Sequence, residues 1–490
     1  MADPLITAVG DLLRTAETDA TSVASAETLA EARRRLDEPL RLAIAGKVKA
    51  GKSTLLNALL GETLAATDAG ECTRIVTWYR KAERPEVLVQ PRSGPAHARP
   101  FDRSGGALEV DLGGLTAADV DHLDVGWPTQ RLADLTLIDT PGIASLSTDL
   151  SAETYRALAP DDDRPSQADA VLYLLRHAHA SDVRFLESFQ DDDLAHGTSI
   201  NAVGVLGRAD EIGSCTPDAL EVAKRVGERY QHDPRLRRLC PVIVPVSGLL
   251  GLAGETLREQ EHRALRALAE APVGEVTSLL LTADRFAHRP SSVPVTETDR
   301  EHLLERLGLF GVRLAVDLIR TGTARSAADL KAELVTRSGL SQLRGVLLVQ
   351  FTRRARILKA RSALAALGGV LAAGGVRATD ALRARSEEVA AQAHEFVEVR
   401  VLNQLRSGEL EISEDRAVEL ERLLGALGHD AATRLGVPPV TPREEIRRLC
   451  TEALARWRRL AQHPLSDRGV QQAAAVATRS LEGMLAESKR

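Results

Sequence analysis

Cysteine is scarce in this chain of 490 residues and occurs only at positions 72, 215, 240 and 450. These positions are scattered and form no CxxC pair, which argues against a zinc site and against a disulfide framework. Such cysteine usage is typical of a protein in a reducing cytosol. We therefore expect a cytoplasmic location.

Long apolar runs and an excess of positive charge are also missing. The sequence contains no stretch of eighteen uncharged apolar residues. Asp3 and Asp11 interrupt the region where a secretion signal would lie. Any membrane contact is therefore expected to be peripheral, at the inner face of the plasma membrane. The formal net charge of -6 gives no support for nucleic-acid binding.

The segment GKVKAGKST at 46–54 follows a short apolar strand and precedes a helical stretch, which is the order of a phosphate-binding loop. Its glycines let the loop wrap around a triphosphate, with backbone N–H groups and the positive helix end directed at phosphate oxygens. Lys52 would bridge the β and γ phosphates, and Ser53 would bind Mg²⁺. The predicted binding residues of the loop are Gly46, Lys47, Val48, Lys49, Ala50, Gly51, Lys52, Ser53 and Thr54.

Two further segments predict the switch regions of a GTPase. An alternating apolar strand at 135–139 ends in the sequence DTPG, where Asp139 would hold Mg²⁺ through a water molecule and the Gly142 N–H would sense the γ phosphate. Between the two motifs, Thr73 precedes a β-branched strand and is predicted to donate a second hydroxyl to Mg²⁺. Ordinary turn chemistry is the alternative for Thr73.

Base recognition is predicted beyond the apolar strand at 202–206. Asp210 can accept two hydrogen bonds from the guanine edge, and the aliphatic stem of Arg208 can cover the ring. GTPases usually carry Asn or Thr where this chain has Gly207, so the segment departs from the common form. After the last apolar strand, Ser247 and the backbone amide of Gly248 are predicted near the guanine oxygen.

The interval between Lys52 and Asp139 is longer than a small regulatory GTPase uses. Together with the form KAGKSTLLNALLGE at 49–62, the sequence Cys-Thr-Arg at 72–74 and the long helical tail, it resembles the dynamin superfamily. Within that superfamily the chain is similar to bacterial dynamin-like proteins of the actinobacterial isoniazid-inducible type. The resemblance implies GTP hydrolysis with GTP/GDP and Mg²⁺, self-association through GTPase domains and, as in other bacterial members, pairing with a second dynamin-like protein.

Strand and helix patterns predict an α/β GTPase domain with a doubly wound, mostly parallel sheet, followed by a long all-α helical bundle. We predict three regions: helices at 1–38, the GTPase domain at 39–290, and a helical neck and trunk at 291–490. In bacterial dynamin-like proteins the N-terminal helices join the C-terminal bundle, and the resemblance implies the same arrangement here.

Residues 341–379 contain no acidic residue but seven basic ones, and they include a glycine-rich apolar turn at 368–376. One hypothesis is a tip that rests on an anionic membrane. Its predicted contact residues are Arg353, Arg354, Arg356, Lys359, Leu371 and Val376. The alternative is that the arginines pair with the acidic helix that follows, which carries Glu387, Glu388, Glu395 and Glu398. The turn also lacks the aromatic anchors usual in interfacial helices.

The loop differs from that of eukaryotic dynamins, in which a glutamine orients water and a serine binds a monovalent cation. Val48 and Lys49 occupy those two positions, and valine cannot orient water. Lys49 could instead place its ammonium where the cation would sit, so Lys49, Lys52 and Thr73 are the predicted catalytic residues. The alternative for Lys49 is a solvent-facing loop residue, and Arg74 and Arg80 are only candidates for an arginine finger.

The sequence thus predicts a dynamin-type GTPase that drives self-assembly or movement of the helical bundle at a membrane. Two alternatives stay open. One is a GTPase switch or assembly factor without membrane activity. The other is a weakly hydrolysing structural partner of a second dynamin-like protein, which Val48 and Gly207 favour.

Overall fold

The structure is a computed structural model of the chain. It describes residues 3–66, 75–103, 106–141, 167–176, 183, 186, 201–213, 215–240, 242–352, 354–428 and 430–487.

Eleven strands are described, and nine of them form one sheet in the order β11-β10-β9-β1-β8-β2-β7-β3-β4. The strands are β1 (Leu40–Gly46), β2 (Val76–Lys81), β3 (Glu86–Pro91), β4 (His97–Ala98), β5 (Phe101–Asp102), β6 (Glu109–Val110), β7 (Val120–Trp127), β8 (Leu135–Asp139), β9 (Ala170–Leu175), β10 (Ala202–Gly207) and β11 (Ile243–Val246). From β11 through β8 all neighbouring strands run parallel, and β2 joins this part antiparallel. The predicted mostly parallel α/β sheet is confirmed.

The helices occupy both faces of the sheet and most of the chain after β11. They are α1 (Pro4–Thr18), α2 (Val23–Arg35), α3 (Lys52–Leu60), α4 (Ala219–His232), α5 (Pro234–Leu239), α6 (Gly248–Thr256), α7 (Glu259–Glu270), α8 (Val273–Leu279), α9 (Ala283–His288), α10 (Glu297–Arg320), α11 (Ala327–Arg337), α12 (Leu340–Leu347), α13 (Ala355–Ala372), α14 (Thr379–Gln392), α15 (His394–Ser407), α16 (Glu414–Leu423), α17 (Ala431–Leu435), α18 (Arg443–Ala461) and α19 (Arg468–Glu487). A π-helical turn, Leu348–Thr352, joins α12 to α13. The predicted all-α region is therefore present.

The centre of the sheet is fully buried. All seven residues of β1 and all six of β9 and β10 are buried, as expected for parallel strands covered on both faces. One face packs against α3 and the helices of residues 340–399, in a core that also includes α1 and α2. The other face packs against α4 and α5. This two-sided cover leaves the carboxyl ends of the strands as the edge where a ligand can bind.

The N-terminal helices fasten to later parts of the chain. In α1, Asp3 caps the helix by accepting from the backbone of Leu5 and Ile6, and its apolar stripe is buried. Both α1 and α2 pack on α13, which also contacts β1. The helix α13 therefore contacts both the sheet and the N-terminal helices. The domain boundaries at residues 38 and 290 stay predictions.

The C-terminal helices form a separate apolar cluster between residues 401 and 484. Trp457 lies inside it with 2% of its surface exposed, whereas its neighbours Arg456 and Arg458 pair with Glu419 and Glu482. Among the described residues, no helix is apolar over a length sufficient to cross a bilayer.

The basic segment is packed in this structure. Arg354 is buried and donates to Gln350 Oε1 and to the carbonyl oxygen of Gly425. Burial lowers the pKa of Arg354 to about 9, which still leaves the guanidinium charged at neutral pH. Arg356 pairs with Asp3 and with Glu395, and Lys359 donates to the carbonyl oxygens of Leu36 and Glu38.

Part of the apolar turn at 368–376 is buried. Leu371 and Val376 are 5% and 3% exposed, and Val376 forms a β-bridge with Ala20 in the connection between α1 and α2. These two side chains are therefore shielded from lipid in this conformation, whereas Gly369, Ala372, Ala373 and Gly374 are exposed, and a membrane-facing tip stays a prediction. The pairing of Arg356 with Glu395 agrees with the alternative, and Arg353 lies outside the described residues.

A buried ion pair ties α2 to the sheet and generates the first prediction. Asp169 Oδ1 lies 2.7 Å from Arg35 Nη2, and Oδ2 accepts from the backbone N–H of Arg41 at 2.9 Å. The change Asp169→Ala should cost about 3–5 kcal/mol in the free energy of unfolding, because it leaves a buried guanidinium without its carboxylate. Denaturant-induced unfolding measures the loss.

The matched control is Asp11→Ala, which breaks the exposed pair between Asp11 and Arg14. That change should cost less than about 1 kcal/mol, since water replaces the lost contact. Equal losses in the two variants would contradict the assignment of the Asp169 pair as a structural tie.

Candidate nucleotide-binding site

The phosphate loop joins the end of β1 to the start of α3. Gly46 has φ 149°, and a Cβ there would lie 2.7 Å from the carbonyl oxygen of Leu174 on β9. Gly51, at φ 96°, stands directly before the first residue of α3. Only glycine combines this backbone with such a close approach to a neighbouring strand. The loop therefore presents the N-terminal N–H groups of α3, as an anion site requires.

Lys52 is the first residue of α3, and its ammonium donates to the carbonyl oxygens of Gly46 and Lys47 at 3.3 and 3.4 Å. Burial lowers the pKa of Lys52, while the nearby Asp139 acts in the opposite direction. The ammonium is thus held across the mouth of the loop by weak, long contacts. Phosphate oxygens would be stronger acceptors for the same donor.

The middle of the loop is a turn from Lys47 to Ala50, closed by a hydrogen bond of 3.1 Å from the Ala50 N–H to the Lys47 carbonyl oxygen. Lys49 adopts a left-handed backbone with φ 62°. A non-glycine residue pays about 1–2 kcal/mol for this conformation, and such strain clusters at functional sites. Val48 is 46% exposed and Lys49 is exposed, so both side chains project from the loop.

Ser53 and Asp139 meet beside Lys52. The Ser53 hydroxyl lies 3.4 Å from Asp139 Oδ2, and the neighbouring Thr140 hydroxyl donates to the Ile44 carbonyl oxygen at 2.9 Å. Burial raises the pKa of Asp139 to about 6, although Lys52 and Ser53 favour the charged carboxylate. Its Oδ1 atom is buried and has no hydrogen-bond partner among the described residues. An orphaned carboxylate oxygen next to a serine hydroxyl fits the hydrated shell of Mg²⁺.

The base side of the site is a cavity of about 130 Å³ between the phosphate loop and the ends of β10 and β11. Asp210 lines it and is 6% exposed. Burial raises the pKa of Asp210. The lining residues are Ala50, Gly51, Thr54, Leu55, Leu174, Val205, Gly207, Arg208, Asp210, Glu211, Val246, Gly248 and Leu249.

Gly207 has a steric reason that the sequence did not show. A Cβ at this position would lie 2.9 Å from the carbonyl oxygen of Ala50 in the phosphate loop. The phosphate loop lies directly against the end of β10, so an Asn or Thr side chain at position 207 would press on the loop. Because the contact joins residues distant in the chain, local sequence gives no signal for it.

Glu211 is a lining residue that sequence analysis missed. It pairs with Arg208 at 2.8 Å and with Arg176 at 2.9 Å, and Arg208 has a left-handed backbone with φ 53°. This clamp holds the Arg208 stem at the wall of the cavity, where the prediction placed it. The spacing of Arg208 and Glu211 by three residues was the available signal.

The remaining predicted residues divide into two groups. Thr73, Gly142 and Arg74 lie outside the described residues. Arg80 is described and pairs with Asp124 on the neighbouring strand β7 and with Glu86 on β3, the next strand beyond it. The structure thus gathers the loop, Asp139, Arg208, Asp210, Ser247 and Gly248 along the carboxyl edge of the sheet.

Comparisons with known proteins agree with this geometry. The dynamin family model matches residues 42–195. Isoniazid-induced protein IniC of Mycobacterium tuberculosis is 43% identical over 456 residues, which cover 92% of this chain and 91% of IniC. The chain belongs to the dynamin family. The resemblance inferred from the motifs is therefore confirmed, and a dynamin-family domain implies a GTPase.

More distant similarity covers part of the chain. Isoniazid-induced protein IniA of the same organism is 27% identical over 172 residues, covering 31% of this chain and 26% of IniA. The bacterial dynamin-like protein of Nostoc punctiforme is 26% identical over 164 residues, covering 30% and 22%. A solved structure described as an oligomerised bacterial dynamin pair aligns with a TM-score of 0.34 at 12% identity, covering 100% of this chain and 76% of the other.

The strained, exposed position of Lys49 generates the second prediction. If its ammonium replaces a monovalent cation, GTP hydrolysis should proceed at nearly the same rate in potassium, sodium and large inert cations at equal ionic strength. Lys49→Ser should lower turnover in buffer without small cations and regain part of it when potassium is added. Steady-state phosphate release measures both effects.

Lys49→Arg is the control for this experiment, because it keeps the positive charge at the same backbone position. It should remain insensitive to the cation. A strong potassium requirement in the unmodified protein would show that Lys49 does not fill this role.

Proposed function

We propose that this dynamin-family protein binds GTP with Mg²⁺, hydrolyses it to GDP, and uses the cycle to drive assembly or conformational change in membrane remodelling. The observation that carries the proposal is the convergence of Lys52, Asp139 and Asp210 on one edge of the sheet. Each is a charged group placed at the end of a buried apolar strand or loop. Burial disfavours all three charges in the free protein, and a magnesium nucleotide would compensate each of them.

The phosphate side supports the first part of the proposal. The N–H groups at the start of α3 and the Lys52 ammonium would bind the β and γ phosphates. Ser53 and Asp139 would hold Mg²⁺, which when bound neutralises charge that develops on the phosphate oxygens. Asp139 would act through its unpartnered Oδ1 atom. Thr73 and Gly142 are proposed to complete this side.

The base side supports guanine as the ligand. Asp210 is an acceptor-only group in its charged form, and guanine offers two adjacent N–H donors that adenine lacks in that arrangement. Ser247 and the Gly248 backbone are proposed to face the guanine oxygen. The Arg208 stem, clamped by Glu211, would cover the ring plane.

The third prediction tests this proposal. The protein should bind GDP at least about tenfold more tightly than ADP, because hydrogen bonds to a charged acceptor contribute about 1.5–3 kcal/mol. Asp210→Ala should remove most of that preference. Calorimetric titration in the presence of Mg²⁺ measures the two affinities.

Lys52→Ala separates the phosphate side from the base side. It should abolish detectable binding of both nucleotides, since it removes a charge-assisted contact common to them. If the unmodified protein bound GDP and ADP equally well, Asp210 would lose its assigned role.

The membrane part of the proposal rests on family membership. We propose a cytoplasmic protein that binds peripherally at the inner face of the plasma membrane, as expected from the sequence composition. Similarity to both IniC and IniA, which are 43% and 27% identical to this chain, supports a second dynamin-like protein as partner. A weakly hydrolysing partner role is the second candidate, since Val48 stands where a water-orienting side chain would be needed.

The fourth prediction addresses the membrane. Anionic vesicles should raise GTP turnover, and the protein should sediment with them in a nucleotide-dependent manner. Sedimentation should weaken with salt, because the Debye length falls from about 10 Å at 0.1 M to about 3 Å at 1 M. Lys52→Ala is the control that removes nucleotide dependence. If the unmodified protein sedimented in no nucleotide state, the partner role without membrane contact would replace this proposal.

A further inference from the structure

The connection between α11 and α12 lies directly behind the base side of the site. Its first residue, Ser338, is 1% exposed, and its carbonyl oxygen accepts the Ser247 backbone N–H at 2.9 Å. Ser247 is itself completely buried. This hydrogen bond joins residues far apart in sequence and fixes the backbone at the end of β11.

Gly339 makes the closest approach in this connection. Its φ is +80°, and an added Cβ would collide with the carbonyl oxygen of Pro245 and lie 3.5 Å from the Val246 Cα. Both neighbours are backbone atoms of β11, so no side-chain rotation can relieve the collision. Position 339 therefore requires glycine both for its conformation and for its contact.

The fastened segment borders the base side of the site. The Ser247 hydroxyl accepts the Leu250 N–H at 3.2 Å, which caps α6. Burial raises the pKa of Asp210, and the Ser247 side chain acts in the opposite direction. Val246 and Gly248 line the cavity on either side of Ser247. A shift of the Ser247 backbone would consequently move the cavity wall at Val246 and Gly248 relative to Asp210.

The connection is rigid enough to serve as a support. Ser338 Oγ donates to the Val335 carbonyl oxygen at 2.6 Å and accepts the Leu340 N–H at 3.1 Å. Leu340 is fully buried, and α11 packs along α6, the helix that Ser247 caps. The backbone at residues 338–340 thus has a single well-defined place against β11.

We propose that Ser338 and Gly339 are positioning residues for recognition of the base. They hold Ser247 so that Asp210 meets the guanine edge. This inference rests on the proposed guanine site and deepens it, because it names residues outside the nucleotide motifs that set base selectivity. Neither residue touches the nucleotide; both act through the backbone of β11.

The experiment compares GDP with inosine diphosphate, which lacks only the exocyclic amino group that would donate to Asp210. The measured quantity is the ratio of the two dissociation constants with Mg²⁺ present. In the unmodified protein we expect GDP to bind about tenfold more tightly, from one lost hydrogen bond to a charged acceptor. Gly339→Ala should reduce this ratio to about threefold or less, mainly through weaker GDP binding.

The matched control is Gly322→Ala. Gly322 follows α10, has φ +73° and would meet no atom within 4 Å if a Cβ were added. It therefore imposes the same left-handed strain without the collision with β11 and should leave the ratio unchanged. A general loss of stability would weaken both ligands alike, so the ratio separates positioning from unfolding.

Ser338→Ala provides a second variant if Gly339→Ala fails to fold. It adds no atoms but removes the two Ser338 side-chain hydrogen bonds that stiffen the connection. For Ser338→Ala, the ratio of the inosine diphosphate and GDP dissociation constants should be about half that of the unmodified protein. An unchanged ratio in every folded variant would overturn the inference while leaving guanine recognition intact. Equal binding of GDP and ADP by the unmodified protein would instead overturn the proposed base site itself.

Discussion

The parallel register of β1 with its two neighbours is the constraint on which the site depends. It places Ile44 opposite Asp139 on β8 and Gly46 opposite Leu174 on β9. Since a shift by one residue would turn every side chain to the other face, this register decides that the Asp139 carboxylate meets Ser53. Glycine at 46 permits the register, because any side chain there would push against the Leu174 carbonyl oxygen.

Three ionisable groups are buried at this edge of the sheet. Burial lowers the pKa of Lys52 and raises the pKa values of Asp139 and Asp210, so the charged form of each is disfavoured in the free protein. Lys52 and Asp139 offset part of this cost for each other. A bound magnesium nucleotide would offset the remaining cost of burying these charges, and its binding would stabilise the fold by linkage.

The parts of the site that the sequence could predict are those whose geometry is local. Strand, glycine loop and helix follow one another within residues 40–60, while Asp139 ends the apolar strand β8 and Asp210 lies shortly after β10. The contacts that the sequence could not predict join distant segments. The small size of Gly207 is explained by Ala50, and Arg354 finds its acceptor at Gly425 rather than on a membrane. The positive charge of Arg354 was visible in the sequence, but its hydrogen-bond acceptor at Gly425 was not.

In the fold, too, local features were predictable from the sequence and contacts between distant segments were not. Alternation of strands and helices indicated the sheet, whereas the packing of α1 and α2 on α13 came from the family resemblance and not from any local pattern. One more such contact concerns the far end of α3. There the carbonyl oxygens of Ala58 and Leu59 accept from Arg344 and Arg131, and Glu255 pairs with both arginines at 2.6 and 2.7 Å.

This arrangement gives α12 two attachments to the site. Its first turn follows Gly339 at the base side, and Arg344, one turn later, reaches the negative end of the phosphate-loop helix, where a cation is stabilising. The eight residues of α12 span about 12 Å at 1.5 Å per residue. One short helix therefore adjoins β11 through Gly339 and contacts α3 through Arg344. Because that helix leads through the π-helical turn into α13, one short segment of the chain joins both sides of the site to the same helical region.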